Sequence, residues 1–197
     1  MARVKPIDYE QIIRSQYLVR FERKPLDEDE MYGFVLACSE TLTLLNVLET
    51  STFTLNGYSV IRNADVSLYA VYDRPDYYFD SRVLRLKGIS PQPQPEVSVA
   101  SLPELLASVD KHYPLFTIHR ERVNDEICFI GRLAGMTLKT FTLFEIDDCA
   151  EWDGPHRYRF EDVTKVDFGG GYEEALALVA RENDKTKSKR KRAASTK

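Results

Sequence analysis

Residues 41–47, with the sequence TLTLLNV, recur 99 positions later as residues 140–146, TFTLFEI. In both stretches Thr alternates with apolar residues, a period that predicts a β-strand with one buried face. Three more blocks recur in the same order, at offsets between 97 and 99 residues: Glu22-Arg23 with Glu121-Arg122, Gly33 with Gly131, and Asp65-Val66 with Asp162-Val163. Two unrelated all-β halves would share the alternation but not this common order of blocks. The sequence therefore predicts two copies of one module.

Each copy is predicted to consist of a short helix followed by about five strands. The first helix is predicted over residues 8–16, and Ser101 is predicted to cap the second. Asn56-Gly57 predicts a tight hairpin turn in the first copy. Residues 77–86 are predicted to form an extra strand or a hairpin arm, and residues 172–181 a final helix.

Gly33 and Gly131 lie in the second strand of each copy. A glycine there permits the sharp bend that closing a small barrel requires. The predicted fold class is therefore mainly β, with two tandem five-stranded small barrels. A short helix precedes each barrel, and a C-terminal helix follows the second.

Two stretches of the first copy resemble the Sm-like (Sm/LSm) family. Residues 33–49 resemble the family's first motif. Residues 60–69 resemble its second motif, which has an isoleucine-arginine-glycine core and reads IRN here. The resemblance covers residues 8–72 and, with fewer matching residues, 101–168.

This resemblance implies an Sm-like, Src-homology-3-like barrel in each half, with barrels that join edge to edge. It also implies that Arg62 contacts RNA. The alternative for Arg62 is an ion pair with Asp65 or another nearby acid. Residues 39–43, SETLT, lack the asparagine with which the family contacts a base. The resemblance therefore implies the fold more directly than RNA binding.

A proline-rich segment separates the two copies, with prolines at positions 91, 93 and 95. This spacing is incompatible with a helix or a central strand and favours a semi-rigid extended spacer. We predict four segments from it: the first barrel over residues 1–88, a Pro-rich linker over 89–100, the second barrel with its helices over 101–184, and a basic disordered tail over 185–197.

Charge is unevenly divided along the chain. The whole sequence has 27 Lys and Arg against 31 Asp and Glu, a net charge of −4. Residues 185–197 contain seven of the basic residues and no acidic one, which leaves 20 basic against 31 acidic residues, or −11, for residues 1–184. This acidic body repels nucleic acid at long range.

The basic run is the candidate nucleic-acid contact, because it could neutralise phosphates without reading bases. It has no aromatic residue on which bases would stack. The alternatives are a solvated tail, or one that folds back onto the acidic body. The candidate contact residues in the run are Lys187, Lys189, Arg190, Lys191 and Arg192.

No stretch of the sequence matches a familiar catalytic or metal-binding motif. His156 lies near an acidic loop over residues 147–154, which is interpreted either as a divalent-ion site or as a charged surface loop. Residues 169–171, GGG, precede a helix and suggest a phosphate loop or a hinge. We expect no catalytic residue, metal or cofactor, and an enzyme of unrecognised type is the third hypothesis.

The cysteines, Cys38, Cys128 and Cys149, show no spacing typical of a disulfide framework or a zinc site. No stretch approaches the roughly 18 apolar residues that a membrane helix needs. No apolar secretory segment precedes Asp8. We therefore expect a cytoplasmic protein without membrane contact.

The function predicted first is a non-enzymatic binding or regulatory module. It would bind a protein partner, or self-associate, through barrel edge strands. The alternative is an RNA- or DNA-binding protein that uses the basic tail and one barrel face.

Overall fold

The computed structural model describes the backbone of residues 8–194 and the side chains of residues 8–187. Within these residues the helices are α1 (Tyr9–Ser15), α2 (Phe79–Lys87), α3 (Leu102–His112) and α4 (Gly171–Ala194). The strands are β1 (Leu18–Arg23), β2 (Asp27–Cys38), β3 (Leu42–Glu49), β4 (Thr54–Arg62), β5 (Leu68–Val71), β6 (Phe116–Arg120), β7 (Asn124–Met136), β8 (Thr140–Ile146), β9 (Trp152–Arg159) and β10 (Lys165–Phe168). Ser101 caps α3 as predicted, by accepting a hydrogen bond from the backbone N–H of Glu104.

All ten strands belong to one antiparallel sheet, in the order β5-β1-β2-β3-β4-β10-β6-β7-β8-β9. The predicted fold class is therefore wrong: the described residues form one large open sheet instead of two closed five-stranded barrels in tandem. β10 belongs to the second half, yet it pairs with β6 on one side and with β4 of the first half on the other. Alternation predicts which face of a strand is buried, but it does not predict which strand lies along each edge.

The two halves contain their strands in the same order. The first half, β5-β1-β2-β3-β4, corresponds to the second half, β10-β6-β7-β8-β9. The registers also correspond, since Val19 pairs with Val71 in the first half as Phe116 pairs with Phe168 in the second. Each residue of β5 thus has a counterpart in β10 that lies 97 positions later.

Gly33 in β2 and Gly131 in β7 lie where the next strand leaves no room for a side chain. A Cβ atom on Gly33 would lie 2.5 Å from the carbonyl oxygen of Asn46, and one on Gly131 would lie even closer to the carbonyl oxygen of Phe144. Packed strand backbones cannot move aside as a flexible side chain can. Close approach of two strands therefore accounts for the glycine in each copy.

We expect Gly131→Ala to lower the free energy of unfolding by about 2 kcal/mol, because the added methyl group overlaps the backbone of β8. Gly135→Ala is the control, since a Cβ atom at that position has no other atom within 4 Å. Urea denaturation of both variants and the wild type gives the comparison. Equal stability of the two variants would contradict close strand packing at Gly131.

The main hydrophobic core extends from one half into the other. It surrounds α3, whose Leu105 and Leu106 are fully buried, and it includes Leu44 and Val60 of the first half. A second cluster lies under α1 in the first half, and α2 and α4 each cover a further cluster. The halves therefore share a core as well as a sheet, although the predicted linker, 89–100, lies between them in the chain.

Residues 77–86, predicted as a strand or hairpin arm, instead contain most of α2. Ser81 and Leu84, three residues apart, are its buried positions, and Gly88 ends the helix with a left-handed φ of 67°. The aromatic residues at 77–79 favour a strand by intrinsic propensity, but burial at helical spacing outweighs that preference.

Asn56-Gly57, predicted as a hairpin turn, lies inside β4. Gly57 has a φ of 66° and lies next to a register shift between β3 and β4. A Cβ atom on Gly57 would lie 2.5 Å from the backbone nitrogen of Gly170. The glycine therefore permits a bulge that packs against the start of α4, and residues 50–53 form the turn instead.

Candidate functional site

Arg62 lies in the joint between the halves, which we define as the region where residues of the first half contact residues of the second, including the pairing of β4 with β10. Its Nε donates to the carbonyl oxygen of Val163 at 2.6 Å, and its Nη2 donates to that of Phe160 at 2.7 Å. Burial lowers the pKa of Arg62, although Asp65 opposes this shift. Arg62 thus fastens the two halves together, and its contact with RNA stays a prediction.

A buried ion cluster lies in the same joint. Arg23, which is 1 % exposed, donates from Nη2 to Glu121 at 2.5 Å and to Asp27 at 2.8 Å. Burial lowers the pKa of Arg23, but the two carboxylates outweigh burial and raise it above its ordinary value. Arg122 pairs with Asp65 across the joint, and a cavity of about 450 Å³ lined by both halves opens beside the cluster. The repeated Glu-Arg blocks were visible in the sequence, but their contact was not.

The joint includes an apolar surface of the first half, and the equivalent surface of the second half is polar. Leu44 pairs with Val60, and both are buried in the core around α3. The residues that pair in the same way in the second half are Thr142 and Arg157, and Arg157 is exposed. The first half therefore has an apolar outer surface that the second half covers, whereas the second half has a polar one that suits water.

A second ionic contact lies on β10, beside the joint. His119 Nε2 lies 2.7 Å from Asp167 Oδ2, and Lys165 Nζ lies 3.5 Å from the same oxygen. Burial raises the pKa of Asp167, but Lys165 and His119 outweigh burial and hold it well below its ordinary value. The carboxylate is therefore ionised, and it links β6 to β10. Because 48 residues separate His119 from Asp167, sequence spacing gave no sign of this pair.

His156 is close to two carboxylates in the hairpin of β8 and β9. One donor atom from each of Glu145, Asp153 and His156 lies within 4.8 Å of the others. His156 Nε2 lies 3.1 Å from Asp153 Oδ2, and the hydroxyl of Tyr158 donates to Glu145. These residues could hold a divalent ion, but a paired histidine and aspartate on the surface also fit the charged loop that was the other interpretation.

Side chains of the protein occupy the place beside the glycine loop at 169–171 where a phosphate would bind. The backbone N–H of Gly171 donates to Asn56 Oδ1 at 2.9 Å. Glu173, in the first turn of α4, is buried and accepts from the hydroxyl of Thr117 at 2.6 Å. A carboxylate at this helix end already interacts with the helix dipole and would repel a phosphate. The packing therefore argues against a phosphate loop, and the hinge stays a prediction.

The second part of α4 lies against the acidic loop. Trp152 Nε1 donates to Asp184 at 3.4 Å, and Lys187 pairs with Glu151. The backbone of residues 185–194 is helical, where the sequence predicted a disordered tail. Lys187 thus folds back onto the acidic body, which was one of the alternatives for this run. The side chains of four other candidate residues lie outside the described ones: Lys189, Arg190, Lys191 and Arg192.

The two outer strands of the sheet differ in how well they are protected. β5 has the sequence LYAV, without charge or proline, and Leu68 is 42 % exposed. In the part of the chain that the structure describes, β5 pairs with β1 alone, whereas its counterpart β10 is paired on both sides. β9 contains Pro155 and the exposed Arg157 and Arg159, which hinder pairing with a further strand. β5 is therefore the candidate binding edge.

Comparison with family models, curated proteins and solved structures gives no match for this chain. Among the described residues, no helix has both the length and the apolar character that crossing a membrane requires.

Proposed function

We propose that this protein is a non-enzymatic binding module that takes up a β-strand from a partner protein at the β5 edge. The observation that carries the proposal is the difference between two equivalent strands. β10 is paired on both sides, and β5 is paired on one side only within the described residues. An apolar edge strand without charge or proline is a template for pairing with another chain.

The joint inside the chain supports this proposal, because it is an example of the same contact. Residues 58–61 of β4 pair in antiparallel register with residues 165–168 of β10. Tyr58 also stacks on Phe168, with ring centroids 5.4 Å apart. In strand addition, main-chain hydrogen bonds supply affinity and side-chain contacts supply specificity. The resemblance to the Sm-like family adds support, since proteins of that family join edge to edge.

We propose that the strand bound at β5 comes from a different protein and is not β9 of a second copy of this chain. Pro155 in β9 has no backbone N–H to donate to a new strand. Thr142 and Arg157 also stand where the joint uses the apolar Leu44 and Val60. We further propose that the protein acts in the cytoplasm, because its three cysteines are free, as is usual in a reducing compartment.

Leu68→Lys tests this proposal, because a charge on an edge strand blocks pairing. We expect a protein partner captured from native-host extract by the wild type to be recovered at least about tenfold less on the L68K variant, since strand addition needs this edge. Leu138→Lys is the matched control, because Leu138 is fully exposed on the turn between β7 and β8.

Equal recovery of every partner on the wild type and the L68K variant would contradict the proposal. Capture of nucleic acid in place of protein, with an affinity that falls steeply as salt increases, would favour the alternative function.

A further inference from the structure

α2 carries apolar residues on two faces, and only one of these faces is buried. Ser81 and Leu84 are the buried positions, and Leu84 packs in the cluster that α2 covers. Phe79, Val83 and Leu86 follow one another at helical spacing on the outer face. Phe79 is 70 % exposed and Leu86 is 74 % exposed. Large apolar side chains grouped on an open surface indicate an interaction site.

A strained turn adds a fourth side chain to this outer face. Phe53, in the turn between β3 and β4, has a left-handed φ of 52°, which costs free energy in a residue with a bulky side chain. Its ring meets the ring of Phe79 edge to face, with the centroids 5.9 Å apart. Lys87 Nζ holds the turn against α2, because it donates to the carbonyl oxygens of Thr52 at 3.0 Å and of Phe53 at 3.1 Å. We define the α2 patch as Phe53, Phe79, Val83 and Leu86.

The charges beside the α2 patch complement one another. Asp80 lies in the first turn of α2 and has no ion-pair partner among the described residues, whereas Asp76 pairs with Arg85 at 3.2 Å. Lys87 lies in the last turn, and two of the three N–H donors of its ammonium group bind the turn before β4. The third donor is available to a carboxylate. Asp80 and Lys87 are seven residues apart, so they lie on the same side of the helix.

We propose that α2 binds α2 of a second copy of this chain, in antiparallel orientation about a two-fold axis beside Val83. Phe79 and Leu86 lie on either side of this axis, so Phe79 of each copy contacts Leu86 of the other. Asp80 of each copy likewise pairs with Lys87 of the other. Each contact occurs twice, because a two-fold interface uses the same surface on both copies. The dipoles of two antiparallel helices also attract each other.

The length of α2 sets the strength of this contact. The helix has nine residues and is therefore about 13 Å long. An interface of this size is at the weak end of specific interfaces, so we expect the dimer to form at micromolar or higher concentration. None of the residues in the contact belongs to β5. The inference therefore goes beyond the proposed function and does not rest on it.

Sedimentation equilibrium of the full chain over a series of concentrations tests the inference. The wild type should change from monomer to dimer, and no further, as the concentration increases. Leu86→Lys should weaken this association at least about tenfold, because it buries a charge between the two copies. Leu138→Lys is the matched control, since Leu138 is fully exposed on the turn between β7 and β8, and it should associate as the wild type does.

Two charge variants test the antiparallel arrangement. Asp80→Lys and Lys87→Glu each place like charges opposite one another, so each should associate at least about tenfold more weakly than the wild type. An equimolar mixture of the two should recover the dimer, because each copy then carries the charge that the other lacks. A wild type that stays monomeric or forms larger assemblies would overturn the inference. A dimer that survives Leu86→Lys, or a mixture that stays monomeric, would also overturn it.

Discussion

Replacing Arg23 with alanine is expected to lower the free energy of unfolding by about 3–5 kcal/mol, the range for removing one partner of a buried ion pair. The side chain of Arg23 is 1 % exposed and that of Glu121 is 6 % exposed. The substitution leaves the Glu121 carboxylate buried without its cation, whereas Asp27, which is partly exposed, regains water. Because Arg23 and Glu121 belong to different halves, the loss weakens the joint. Urea denaturation followed by circular dichroism measures it.

A double substitution separates the loss of the ion pair from the loss of volume. Arg23→Met combined with Glu121→Met removes both charges and keeps the site filled, so we expect its stability to lie within about 1 kcal/mol of the wild type. Arg159→Ala is the surface control, because Arg159 and its partner Glu161 are both largely exposed. That change should cost less than about 1 kcal/mol. A similarly small cost for Arg23→Ala would contradict a structural role for the cluster.

The internal repeat showed how much of the fold local patterns can predict. The stretch at 140–146 coincides with β8, and Gly33 and Gly131 occupy the same place in their halves. These features depend on alternation and on single residues that a close backbone approach requires, which are both properties of a short stretch.

The arrangement of the halves depends on contacts that no short stretch contains. A strand edge can be paired within its own module or with a neighbouring module, and the same alternation fits both. The open ten-stranded sheet follows from β4 pairing with β10, whose residues lie more than 100 positions away. The sequence repeat aligns Leu44 with Leu143, whereas the strand registers place Leu44 in the position of Thr142, one residue away. The aligned sequence therefore gave no sign of which half covers the other.

The candidate site residues were predicted less well for the same reason. The resemblance predicted Arg62 as a site residue, and the structure places it against two backbone carbonyl groups. The sequence did not predict Arg23 or the β5 edge as part of a site, because arginines in charged turns and apolar strands are common in protein sequences. The importance of Arg23 depends on its burial, and that of β5 on its being paired on one side only among the residues that the structure describes.

Leu44→Ala is expected to lower the free energy of unfolding by about 2–5 kcal/mol, as for other fully buried leucines. Leu44 is 0 % exposed and lies in β3 between Ala37 and Val60. It belongs to the core that surrounds α3 of the second half. The cavity left by the substitution would therefore remove support from both halves.

Trp152, the single tryptophan, makes this shared core measurable, because it lies in β9 of the second half. If the halves unfold together, Trp152 fluorescence and far-UV circular dichroism should show the same lowered midpoint in Leu44→Ala. Thr142→Ala is the matched control, since Thr142 occupies the equivalent place at the outer surface of the second half and is only partly buried. It should cost less than about 1 kcal/mol, as exposed substitutions generally do. In Leu44→Ala, the circular dichroism midpoint could fall while the Trp152 midpoint stays at the wild-type value. That result would show that the halves unfold independently and that the shared core does not couple them.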